Sequence, residues 1–110
     1  MVKEDQIFPN NLIRIGQNAK ENDELVKNSK ETDIWFHISG LPSCHVIIEV
    51  SSEFPLTKQM IYYCSNLVKE NTKYKNIPKI KINYTEIKNV SRTNVPGKVI
   101  IKGKINSVTI

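Results

Sequence analysis

Residues 33–51 read DIWFHISGLPSCHVIIEVS, and this stretch decides the fold class. Aromatic and β-branched residues fill Ile34–Ser39 and His45–Ser51, while Gly40-Leu41-Pro42-Ser43 between them carries the Gly and Pro of a tight turn. Two strands joined as a hairpin are therefore expected. Strand side chains alternate, so Trp35 and His37 share one face and Phe36 takes the other, and at least one of those faces is core. Val46, Ile48 and Val50 alternate with Ile47 and Glu49, the pattern of a half-buried strand.

Upstream of the hairpin, Phe8-Pro9-Asn10-Asn11 reads as a turn, Leu12–Ile15 as a short strand and Gly16 as its break. Asn18 followed three residues later by Glu21 forms a capping box, which starts a helix running through Leu25 and Val26 to about Asn28. Few apolar residues lie along it, so a surface helix is expected. Downstream, Met60, Ile61, Cys64, Leu67 and Val68 recur at helical spacing and place a second helix between about Thr57 and Asn71. In residues 79–85, Ile80, Ile82 and Tyr84 alternate with Lys79, Lys81 and Asn83, giving a strand with its apolar residues inward and its lysines outward. A polar loop leads to Pro96-Gly97, and two last strands, Lys98–Lys102 and Ile105–Ile110, turn at Gly103-Lys104. This order of elements implies an α+β fold: a single domain over residues 1–110 with a mainly antiparallel sheet and two helices.

Composition narrows the function classes. Hydrophobic residues make up 39% and charged residues 25%, a globular balance. Apolar runs such as Val46-Ile47-Ile48 are strand-sized, far below the ~20 residues of a membrane span. The first residues, Met1 to Asp5, lack a hydrophobic signal core, so a cytoplasmic location is expected, with the nucleus as its variant. Cys44 and Cys64 are the only cysteines, too few for a disulfide framework or a cysteine zinc site, and they are expected as reduced, partly buried thiols. Net charge is +5, unevenly spread. Residues 1–68 carry six basic and nine acidic side chains, net −3, and residues 69–110 carry ten basic and two acidic, net +8. A basic half of this kind is the electrostatic footprint of phosphate-backbone binding.

Three segments in order then form a recognisable combination. Gly16-Gln17-Asn18-Ala19-Lys20-Glu21-Asn22-Asp23-Glu24-Leu25 is followed by Asp33-Ile34-Trp35-Phe36-His37-Ile38 and by Leu41-Pro42-Ser43-Cys44-His45-Val46-Ile47-Ile48. This resembles the NFACT-R domain, whose segments run GxNAxxNDxL, DxWFH and PxSHV. Asn83-Tyr84-Thr85 and Pro96-Gly97-Lys98-Val99 are similar to that domain's YT and PGxV segments. The resemblance spans about residues 12–105. Ser43-Cys44 stands where the family commonly has Gly-Ser before the second histidine. The neighbouring domains of the long family proteins, and the coiled coil of the small ones, have no counterpart in these 110 residues. For this domain taken by itself the resemblance implies RNA binding.

Candidate site residues follow from both lines of reading. Lys79, Lys81, Lys88, Arg92 and Lys98 supply charge for phosphates. Trp35, His37, His45, Asn18 and Asn22 supply aromatic and polar groups near the hairpin. The structural alternatives are that Trp35 belongs to the core and that Asn18 is only a helix cap. His37 and His45 fit no standard zinc spacing, with Asp33 and Cys44 the nearest further ligands, and Gly16 lacks the companions of a nucleotide loop. No catalytic residue, metal or cofactor is expected. RNA is the expected partner, tRNA or rRNA in particular and DNA as a variant, with a ribosomal subunit or quality-control protein beside it and no membrane. The rivals are a small nucleic-acid- or nucleotide-acting enzyme using His37 and His45, and a ribosome-associated adaptor.

Overall fold

The hairpin of residues 33–51 is the centre of the molecule. The computed structural model describes residues 2–110. In it β3 (Ile34–Ile38) and β4 (His45–Ile48) pair antiparallel, with Ile34 opposite Ile48, Trp35 opposite Ile47 and Phe36 opposite Val46. β2 (Ile13–Gly16) flanks β4, and β1 (Lys3–Asp5) flanks β2. On the other side β5 (Lys81–Glu86) flanks β3, and β8 (Asn106–Thr109) flanks β5. Among the described residues the sheet order is β1-β2-β4-β3-β5-β8, antiparallel throughout. The fold is α+β, as the sequence implies.

Each helix covers one face of this sheet. α2 (Lys58–Glu70) lies within the expected bounds, and Thr57 caps it, the Met60 N–H donating to Thr57 Oγ1 at 3.2 Å. Its Met60, Cys64 and Val68 pack on Ile13, Ile15, Ile34, Phe36, Ile38, Val46, Ile48 and Ile82. α1 (Ala19–Lys27) covers the opposite face, where Leu25 and Val26 join Trp35, Ile47, Ile87 and Val90 in a second cluster.

That second layer corrects two expectations. α1 is not a surface helix, because Leu25 is 2% exposed and Asn22 is buried too. Nor is β4 half-buried, since Ile47 is as closed off as its neighbours. The sequence pattern understates the layer because part of its apolar surface comes from distant residues, Ile87 and Val90.

The C-terminal strands also differ. β7 (Val99–Ile101) and β8 do turn near Gly103, which has a positive φ of 92°, but they do not pair with each other. β8 extends the main sheet, and β7 pairs with β6 (Val90–Arg92) in a separate two-stranded sheet on the α1 side. β6 lies in a region that reads as polar loop, and β1 carries the charged run Lys3-Glu4-Asp5. Neither is long enough to show a period. The Pro96-Gly97 turn between β6 and β7 is thereby carried to the N-terminal end of α1.

Candidate nucleic-acid interface

At the Gly40 end of the hairpin, α1 begins, the chain after α2 returns, and the β6–β7 turn folds over. An open cleft of about 860 Å³ lies between them. Its lining comes from five separate stretches. They are Gln17, Asn18, Ala19 and Asn22; Trp35, His37, Ile38 and Gly40 to His45; Asn71 to Lys73; Asn83; and Pro96 to Val99 with Ile101.

Close packing builds the wall on the α1 side. The Glu21 N–H donates to Asn18 Oδ1 at 2.9 Å, while the Glu21 carboxylate accepts from the Gln17 N–H at 3.1 Å. The capping box is therefore present with its return arm one residue earlier than the usual pattern. Asn22 Oδ1 accepts the buried His45 N–H at 3.2 Å. A Cβ on Gly16 would stand 2.2 Å from that oxygen, so only glycine lets Asn22 reach across. Gly97 has φ +82°, and a Cβ there would meet Ala19 Cα at 3.1 Å and its carbonyl oxygen at 3.2 Å. A left-handed glycine against an alanine is what allows the turn to close on the helix.

The floor is a cluster of three rings. Trp35 is 1% exposed, and its indole N–H donates to His45 Nδ1 at 3.1 Å. The neutral His45 ring then carries its proton on Nε2, and the nearby Gly97 backbone only partly offsets the fall in its pKa. Burial, reinforced by nearby His37, pushes the His45 pKa down to about 3. His37 stacks on Trp35 at 5.4 Å between ring centroids and meets His45 edge-on at 5.0 Å. Its Nδ1 lies 2.7 Å from the Ile38 carbonyl. A carbonyl can only accept, so Nδ1 holds the proton and Nε2 is left as an acceptor. Burial lowers the His37 pKa also. Both imidazoles are thus neutral near pH 7.

The candidate residues fall into two groups. Trp35, His37, His45, Asn18, Asn22 and Lys98 meet at the cleft, although Trp35 lies beneath His37 and not at the surface. Lys81 stands two residues beyond Asn83 on the same face of β5, at the edge of the cleft, and Lys79 is exposed just before that strand. Lys88 and Arg92 are not part of the cleft lining, although Arg92 stands opposite Val99 in the β6–β7 pair. Lys88 follows the far end of β5, 3.8 Å from Glu86, and the Arg92 guanidinium is held bidentately by Asp23 at 2.9 and 2.8 Å.

Asp33 is at the opposite end of β3 from His37. It accepts from the Lys30 N–H at 2.9 Å and sits 3.4 Å from Arg14, and burial raises its pKa. It holds the α1–β3 connection, remote from both histidines. Cys44 and Cys64 are free and buried, and burial raises both thiol pKa values, Cys44 to about 11. Among the described residues no group of three or more His, Cys, Asp and Glu is placed to hold a metal, and no helix is long and apolar enough to cross a membrane.

Among the lining residues outside the sequence candidates, Asn83 and Lys73 bring an amide and a charge to the cleft. Asn83 reads as a solvent-facing strand position, yet it pairs with His37 across β3 and β5. Lys73, after α2, carries no pattern of its own. Its signal was the Asn83-Tyr84-Thr85 segment for the first residue and nothing for the second.

Segments scattered from Gln17 to Val99 therefore converge on one cleft, and all but the Asn71–Lys73 stretch are segments of the NFACT-R resemblance. The NFACT protein RNA binding domain family matches residues 4–108. The chain belongs to that family. As an NFACT-R domain it has relatives in longer proteins. It is 32% identical over 94 residues to coiled-coil domain-containing protein 25 of Danio rerio, an overlap covering 79% of this chain and 44% of that protein. It is 28% identical over 83 residues to the Rqc2 homolog RqcH of Bacillus subtilis, covering 74% of this chain and 14% of RqcH. The chain thus spans less than half the length of either relative. The fold recurs in the C-terminal part of the fibronectin/fibrinogen-binding protein from Streptococcus suis, at a TM-score of 0.81 and 22% identity over 92% of this chain and 41% of that one.

Proposed function

We propose that this NFACT-R domain binds structured RNA of the tRNA or rRNA kind through its cleft face, without catalysis, in cytoplasmic ribosome-associated quality control. One observation carries the reading. The family's segments, with the stretch after α2, assemble a cleft whose lining among the described residues holds Lys73 and Lys98 and no carboxylate. A surface that admits cations and no anions favours a polyanion, and Lys81 with Lys79 extends it along β5. Phosphate contacts supply most of the affinity.

The ring cluster favours binding over chemistry. His45 is 1% exposed, its Nδ1 is engaged by Trp35, and burial pushes its pKa down to about 3. A general acid or base needs a nitrogen within reach of substrate and a pKa near the working pH, and buried His45 suits neither requirement. His37 by itself has one acceptor nitrogen and no oriented partner. The likeness to RqcH, a homolog of Rqc2, supports the setting in translation quality control.

The test is direct binding of the purified chain to tRNA and to ribosomal subunits across a salt series, with crosslinking in cells and sequencing of the bound RNA. Linear loss of log affinity with log salt, together with enrichment of tRNA or rRNA, is expected. Salt-independent binding or enrichment of unrelated RNA overturns the reading.

A further inference from the structure

The cleft has a division of charge that phosphate binding alone leaves unexplained. Away from its lysines the cleft is lined by uncharged groups: the neutral rings of His37 and His45, the Asn83 amide, and apolar Val99 and Ile101 of β7. Its only formal charges among the described residues are Lys73 and Lys98, one after α2 and one beside the β6–β7 turn. A surface that reads only the sugar-phosphate backbone needs neither a concave neutral floor nor fixed hydrogen-bonding groups.

Those groups are set in place. The Ile38 carbonyl fixes the His37 tautomer, and the stack on Trp35 fixes the ring plane. The result is one bare acceptor, Nε2, which no hydrogen bond within the described residues engages. Asn83, opposite His37 in the sheet register, adds an amide that both donates and accepts. A single acceptor beside a two-way amide complements the edge of a nucleobase, which presents N–H donors next to ring-nitrogen or carbonyl acceptors. The cleft volume is in the range of pockets that enclose one small ligand. In an RNA duplex the bases are stacked and paired, so no base edge enters a concave floor, whereas an unpaired nucleotide can be splayed out into it.

We propose that the cleft takes one unpaired nucleotide, its base against His37 and Asn83 and its phosphate at the rim with Lys73 and Lys98. This rests on the RNA-binding reading and adds base recognition to it. Specificity for unpaired RNA then comes from the floor, and salt-sensitive affinity comes from the rim.

The experiment compares three probes with the intact chain by fluorescence anisotropy at one salt concentration. They are a short single-stranded RNA, the same RNA in a duplex, and an abasic ribose-phosphate strand of equal length. The single strand is expected to bind about tenfold more tightly than either of the others. His37→Ala and Asn83→Leu, each checked by circular dichroism, are expected to reduce that gap to under threefold while leaving the salt slope unchanged. Lys73→Glu with Lys98→Glu is expected to weaken all three probes together. Equal binding of the base-bearing and abasic strands overturns base recognition and leaves phosphate binding standing. A gap that survives both floor variants overturns the assignment of the floor. Failure of all three probes to bind the folded wild-type chain overturns the RNA reading and this proposal with it.

Discussion

Trp35 and His45, ten residues apart, are joined by a buried hydrogen bond in which the indole N–H donates to imidazole Nδ1 at 3.1 Å. Because that nitrogen accepts, the ring stays neutral, with its proton on Nε2. The bond joins β3 to β4 beneath the cleft. A protonated His45 would present an N–H to the indole N–H and lose the acceptor.

Stability should therefore fall in mild acid. The His45 pKa is depressed in the folded state, from an ordinary value near 6.5 to about 3. Its contribution is complete above the unfolded pKa and is lost as pH drops below it, because the unfolded chain then binds the proton that the folded chain refuses. Between pH 6 and pH 5 the expected loss from this group is about 1 kcal/mol, with His37 adding in the same direction. Urea unfolding at pH 7, 6 and 5 checks it. His45→Gln, which has an amide oxygen for the indole N–H, should flatten the slope measurably; an unchanged slope would place the acid sensitivity elsewhere.

Gly16→Ala and Gly97→Ala should each destabilise the chain, for different reasons. At Gly16 the new methyl displaces the Asn22 oxygen 2.2 Å away and orphans the buried His45 N–H, a cost of about 1–3 kcal/mol. At Gly97 it demands a left-handed alanine pressed on Ala19, about 1–2 kcal/mol or more. Gly40→Ala is the contrast, since φ there is also positive at 76° but nothing stands within 4 Å of the new Cβ. It should lose only the conformational part. Thermal or urea unfolding ranks the three.

Charge reversal should matter by position and not by total. Lys73→Glu with Lys98→Glu, at the rim, should cut RNA affinity at least tenfold and lower the salt slope by roughly one to two units. Lys79→Glu with Lys81→Glu, at the edge, should have a smaller effect in the same direction. Lys27→Glu with Lys30→Glu, outside the cleft lining, should change little. If the last pair weakens binding as much as the first, affinity reflects net charge and not this face.

Arg92→Gln should leave RNA affinity within about twofold. The guanidinium is committed to Asp23 at 2.8 and 2.9 Å, and the partnership raises the Arg92 pKa and lowers that of Asp23. An ion pair with a local carboxylate leaves little charge to offer a phosphate. A tenfold loss in the folded variant would show that RNA displaces Asp23.

Much of this was legible in the sequence, because local chemistry suffices for it. The Gly-Pro turn between two β-rich runs determines the hairpin, Thr57 and the spacing of Met60, Cys64 and Val68 determine α2, and the Asn18–Glu21 box determines the start of α1. Lys98 and the polar groups of the hairpin could be named as candidates from motif and charge. The tertiary structure alone decided which of them meet. Nothing local shows that Ile87 and Val90 complete a second layer over Trp35 and Ile47, or that this layer carries Gly97 onto Ala19. Without that contact the chain order leaves His37, Asn83, Lys73 and Lys98 as unrelated residues. Charge patterning likewise could not separate Lys98, at the cleft, from Arg92, paired to an acid 69 residues away. Periodicity reports what one segment buries; which distant segment covers it is settled only when the layers pack.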